Sequence, residues 1–123
     1  MSTTITVCTT CRRPETRDLK EKVPEGEAFL GLVAEAALET AVQVRGTACL
    51  MGCEHGCNLA VSSHGKLTYV LGGFDGVSDD AEAVVEYATR HAASPTGTVP
   101  YREWPQGVKG HFVARVPPLD GEF

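Results

Sequence analysis

Five cysteines crowd into two short stretches of this chain. Cys8 and Cys11 stand near its start, Cys49, Cys53 and Cys57 follow in the middle, and none comes after. An even count spread along a secreted chain would suggest a disulfide framework; an odd count in tight clusters points to metal or redox chemistry in a reducing compartment. Each cluster also has chelating spacing. Cys8-Thr9-Thr10-Cys11 and Cys49-Leu50-Met51-Gly52-Cys53 each let one loop offer two sulfurs to the same centre. Deprotonated sulfur is a soft, negative donor suited to iron, zinc or copper(I). Gly46, Gly52 and Gly56 fit the tight turns such loops need. Five buried structural thiols would satisfy the burial preference of cysteine, but would not explain their grouping among glycines.

The hydropathy pattern places these clusters between regular elements. Thr3 to Val7 alternates and predicts a first strand, followed by a polar loop from Cys8 to Gly26 with Pro14 and Pro24. Phe29, Leu32, Val33, Ala36 and Ala37 fall on one face of a helix predicted over Glu27 to Ala41. Val42, Val44 and Thr47 suggest a second strand that runs into the second cysteine group. Leu59, Val61 and Ser63 alternate, His64-Gly65 reads as a hairpin turn, and Leu67 to Leu71 as its second strand. Ser78 and Asp79 are candidate caps of a second helix, Asp79 and Glu82 having capping-box spacing; Ala81, Val84, Val85, Ala88 and Ala92 form its inner face, and Pro95 ends it. The order is β-α-β-β-α. A parallel βαβ start would bring both cysteine loops to one end of adjacent strands. From Thr96 onward, Pro100, Pro105, Pro117 and Pro118 alternate with Tyr101, Trp104 and Phe112, which predicts an extended tail packed on the domain, or a flap or docking strand.

Composition sets the outer limits. A chain of 123 residues with 42% hydrophobic and 22% charged residues suits one domain, 1–123, whose segment 96–123 is the tail. Net charge is −5 with no Lys/Arg cluster, which disfavours nucleic acid and anionic membranes as partners and favours a basic or neutral protein. No apolar run has the ~20 residues of a membrane span. Met1 to Thr6 lacks signal-peptide features, so a cytoplasmic location is expected. No nucleophile–base or carboxylate pair has a defensible spacing, so an enzyme with its own organic substrate is not supported.

Three function classes remain. Four thiolates from two loops suit a [2Fe-2S] electron carrier or cluster-bearing accessory protein, whose acidic surface would dock on a basic redox partner. Zinc also accepts four cysteines, His55 could join it, and a metal-delivery role would follow. A Cys-x-x-Cys oxidoreductase would use Cys8 and Cys11, but no helix N-terminus is predicted there to lower the thiol pKa. His64, His91 and His111 read as lone surface histidines, His91 fitting a helix C-terminus by charge alone. Met51 reads as a gap filler, Arg12 and Arg13 as counter-charges to thiolates or solvated loop residues, and Gly72-Gly73 as too short for a phosphate loop.

The runs ITVCTTCRR, CLMGCEHGCNLAV, TYVLGGF and VARVPP resemble the DUF1636 family of small predicted metal-binding proteins. The cysteine placement is also similar to that of the thioredoxin-like [2Fe-2S] ferredoxins, which carry a cysteine after the first strand and a Cys-x-x-x-Cys loop before a Gly-Pro and a strand. Cys8, Cys49, Cys53 and Gly56 match that pattern. The second ligand of the ferredoxins lies farther along the first loop, a place Cys11 must fill here, and Cys57 stands where they have proline. The resemblance implies a thioredoxin-like domain holding a [2Fe-2S] cluster on Cys8, Cys11, Cys49 and Cys53, with Cys57 as the alternative to Cys11. It also implies pairing into a homodimer through the sheets.

Overall fold

A computed structural model describes residues 3–9, 25–48, 57–74 and 76–118. Strand β1 (Thr4–Cys8) leads to helix α1 (Glu25–Ala36), β2 (Gln43–Thr47), the hairpin β3 (Cys57–Ser62) and β4 (Thr68–Phe74), and helix α2 (Ser78–Ala93). Two 3-10 turns, Tyr101–Glu103 and Gln106–Val108, then precede β5 (Phe112–Val116). The expected order β-α-β-β-α is two strands short: three strands, β2, β3 and β4, separate the helices because the hairpin contributes two of its own, and β5 follows α2. The sheet runs β2-β1-β3-β4-β5, with β1 and β2 parallel and the remaining neighbours antiparallel.

Alternation in the strands and the helical stripe build one core. Ile5, Val7, Leu59, Val61 and Leu71 point to the same side of the sheet and are fully buried under the two helices. From α1 come Phe29 and Val33; Phe29 meets Phe74 with ring centroids 5.7 Å apart. Each such large side chain contributes about 1.5–3 kcal/mol by leaving water. From α2 come Ala81, Val84, Val85, Tyr87, Ala88 and His91. Tyr87 and His91 are additions to the inner face read from the sequence, whereas Ala92 is only half-buried.

The other departures are local. Helix α1 stops at Ala36, short of Ala41. The chain bends at Ala37, where the Thr40 hydroxyl donates to the Ala37 carbonyl at 2.8 Å, and Leu38 is left exposed. Neither Ser78 nor Asp79 caps α2. The residue before the helix is Val77, without a side-chain cap bond, and Asp79 and Asp80 sit inside the first turn, where their charge complements the helix dipole. The segment after Thr96 is not a simple extended tail. Gly107 lies so close to α2 that an added Cβ would stand 2.6 Å from the Ala83 Cβ. Trp104 donates Nε1–H to the Val99 carbonyl at 2.8 Å and packs on Phe112 at 4.5 Å, and β5 then pairs with the outer edge of β4.

Candidate metal centre at one end of the sheet

The register sends every cysteine-bearing connection out of the same end of the sheet. Strands β1 and β2 run parallel and finish there with Cys8 paired to Thr47, while antiparallel β3 begins there with Cys57. Just past β1, Thr9 donates its backbone N–H to the Thr47 carbonyl at 2.8 Å and its hydroxyl to the same oxygen at 3.0 Å. Gly46 makes this approach feasible. A Cβ there would lie 2.7 Å from Thr9 Cγ2 and 2.8 Å from Leu30 Cδ2. Its glycine is therefore a matter of close approach between strand and helix rather than of a turn.

Both described cysteines are fully buried, yet they occupy different settings. Cys57 belongs to the hydrophobic core under the helices, paired in register with Phe74. Cys8 follows Val7, a core residue, and so falls on the opposite side of β1, the side of Thr6. Asn58, 1% exposed, lies between Cys57 and Leu59 where the β3–β4 register shifts.

His111 also belongs to this end, which the sequence did not reveal. Its ring stacks on Phe74 at 4.2 Å and 9°. Its Nδ1–H donates to the Gly72 carbonyl at 2.9 Å, because a carbonyl can only accept. Only the pairing of β5 with β4 brings it here, and no local pattern in the sequence signals that pairing. Gly72 and Gly73 lie within β4, and Gly73 has φ +77°.

His91 is at the other end of the sheet and is not a surface residue. It is fully buried, with Nε2–H donating to the Leu67 carbonyl at 2.7 Å and Nδ1 accepting from the Thr3 hydroxyl at 2.8 Å. Burial lowers its pKa, the Leu67 carbonyl opposes that, and the Lys66 charge adds to the lowering. Lys66, also buried, donates to the His91 and Ala92 carbonyls that end α2. The Tyr87 hydroxyl is buried without a hydrogen-bond partner, and burial, then Tyr69, pushes its pKa up. His64 is exposed at the hairpin tip.

A family model described as "Protein of unknown function (DUF1636)" matches residues 5–118. The chain belongs to the DUF1636 family. The match runs from within β1 to beyond β5, so the cysteine groups and the C-terminal strand are parts of one family unit. No curated protein and no solved structure matches this DUF1636 chain. Among the described residues no group of three or more His, Cys, Asp or Glu side chains could hold a metal, and no helix is long and apolar enough to cross a membrane. Cys8 and Cys57 are described, whereas Cys11, Cys49 and Cys53 lie outside the described residues, as do Arg12, Arg13, Met51 and His55.

Proposed function

We propose that this protein binds a [2Fe-2S] cluster through Cys8, Cys11, Cys49 and Cys53 and acts in electron transfer or as a cluster-bearing accessory protein. The observation that carries the reading is the bonded pair Thr9–Thr47. Cys11 follows Thr9 by two residues and Cys49 follows Thr47 by two. Covalent reach alone keeps each of these cysteines within about 7 Å, Cα to Cα, of its own member of that pair. Cys8 directly precedes Thr9, and Cys53 is four residues from the start of β3 at the same sheet end. This chain spacing supports a site in which four soft donors meet, as the two-sulfurs-per-iron requirement of the cluster demands.

The core position of Cys57 supports leaving it out of the ligand set. A cluster held there would supply one-electron chemistry. The chain's own part is to hold the thiolates, exclude water at buried Cys8, and offer backbone N–H groups that tune the potential. The strand order β2-β1-β3-β4, with α1 joining β1 to β2 and α2 following β4, supports the thioredoxin-like assignment. A reducing cytoplasm and a redox protein with a basic or neutral docking face fit the thiols and the net charge of −5. The test is anaerobic purification with an ultraviolet-visible spectrum and metal analysis. A reddish-brown protein with about two iron and two sulfide per chain is expected. Stoichiometric zinc without sulfide would replace this reading with a zinc site.

A further inference from the structure

The two sides of the sheet differ in charge. The carboxylates among the described residues sit on α1, the turn after it, α2 and the first 3-10 turn, and none lies on a strand. On the side away from the helices, β1, β2 and β3 present Thr4, Thr6, Arg45 and Ser62. Arg45 is held there. Its Nε–H donates to the hydroxyl of Thr6 at 2.8 Å, and Thr6 is itself only 6% exposed. No carboxylate among the described residues pairs with this guanidinium, although the chain carries five more acidic than basic charges. Beside it lies a recess of about 270 Å³ lined by Thr4, Arg45, Ser62, Ser63 and His64.

We propose that this recess is an anion-binding site that takes the phosphate group of a small organic phosphate. With Nε engaged by Thr6, the two Nη groups of Arg45, for which no partner stands among the described residues, can form a fork, and the Thr4 and Ser62 hydroxyls and the His64 imidazole add donors around it. These donors outnumber what one planar carboxylate accepts, and they suit the three terminal oxygens of a phosphoryl group. The recess is smaller than the roughly 300–1,000 Å³ of sites that enclose drug-sized ligands, so it fits a phosphoryl group with a short appendage. The net charge of −5 opposes a polyanion. The site is independent of the metal assignment: Thr4 and Cys8 are four residues apart on β1, about 13 Å at strand rise.

The experiment is an amide NMR titration of the full chain with glycerol phosphate, inorganic phosphate and acetate at constant ionic strength. Saturable shifts are expected at Thr4, Arg45, Ser62 and His64, with glycerol phosphate binding tightest. Arg45→Gln should weaken binding at least about tenfold, as loss of a charge-assisted contact does. Thr6→Val, which removes only the anchor of Nε, should weaken it severalfold. Arg115→Gln, on the other side of the sheet, should leave it unchanged. Shifts that fail to saturate, or that persist in Arg45→Gln, would overturn the site. Acetate binding as tightly as the phosphates would overturn the ligand class, and inorganic phosphate binding at least as tightly as the ester would overturn the organic phosphate as its source.

Discussion

The two ends of the sheet bury different chemistry. At the hairpin end, His91, Thr3, Lys66 and the Leu67 carbonyl satisfy one another within the protein. Buried polar groups closed in this manner hold segments together, here β1, the hairpin and the end of α2. At the opposite end, β1 closes and β3 opens on buried thiols, Cys8 and Cys57, side chains of a type that bonds well to soft metals. The contrast teaches where to look: a polar set closed within the fold reads as architecture, whereas thiols at the strand ends are the place to test for metal chemistry.

The largest effect should come from single cysteine replacements. Cys11→Ser is expected to abolish or severely destabilise the visible absorbance and strip bound iron, whereas Cys57→Ser keeps the cluster, because its sulfur belongs to the core. If Cys57→Ser bleaches while Cys11→Ser retains a normal spectrum, Cys57 replaces Cys11 as a ligand. At the hairpin end the loss should appear in stability instead. His91→Ala leaves a cavity and two unsatisfied partners, and should cost about 2–4 kcal/mol in chemical denaturation without changing iron content. Gly97→Ala should cost about 1–3 kcal/mol at the same place, since Gly97 has φ +87° and a Cβ would lie 2.7 Å from His91 Nε2. A loss of iron in His91→Ala comparable to that in Cys11→Ser would break the division between the ends.

A smaller effect concerns acid. The pKa of His91 is lowered from its ordinary value of 6.5 in the folded state, so the unfolded chain binds the proton first. The stability tied to this group is therefore fully present above 6.5 and falls as pH drops toward the lowered folded value. Denaturation midpoints should decline more steeply below pH 6.5 in the wild type than in His91→Gln, and equal slopes would remove His91 from the account. The smallest effect expected is on the sheet when metal is withdrawn. Core residues from both helices pack on the strands, so far-UV circular dichroism should change little after chelation. Wholesale unfolding would mean that the metal organises the fold, as it does in zinc fingers. Light scattering tests the implied homodimer, and a monomer mass at all concentrations would count against it.

Much of this frame was legible because it rests on local pattern. The apolar stripe of α1, the alternation of β3 and the His64-Gly65 turn each signal themselves within a few residues. Gly65 indeed has φ +73°. The end of α1 was not legible, since Leu38, Glu39 and Ala41 are residues a helix accepts readily although the chain has already turned toward β2. His91 was misread because its partners, Thr3 and Leu67, lie 88 and 24 residues away. Strand β5 was hidden among prolines, and His111 with it. At the cysteine end, strand alternation suggested the burial of Cys57, whereas the settings of Cys11, Cys49 and Cys53 lie outside the described residues.

The position of β5 along the chain also sets an order of events during synthesis. Strand β4 leaves the ribosome well before its outer neighbour, with α2 and two 3-10 turns made in between. Until β5 arrives, β4 has an open hydrogen-bonding edge beside Tyr69 and Leu71, a template for pairing with another nascent chain. Once docked, β5 moves that edge outward to a strand bearing Arg115 and followed directly by Pro117 and Pro118, residues that discourage further strand addition. The late strand thus acts as a stopper on the sheet, and the interval before it is added is when the young chain is most exposed to its neighbours.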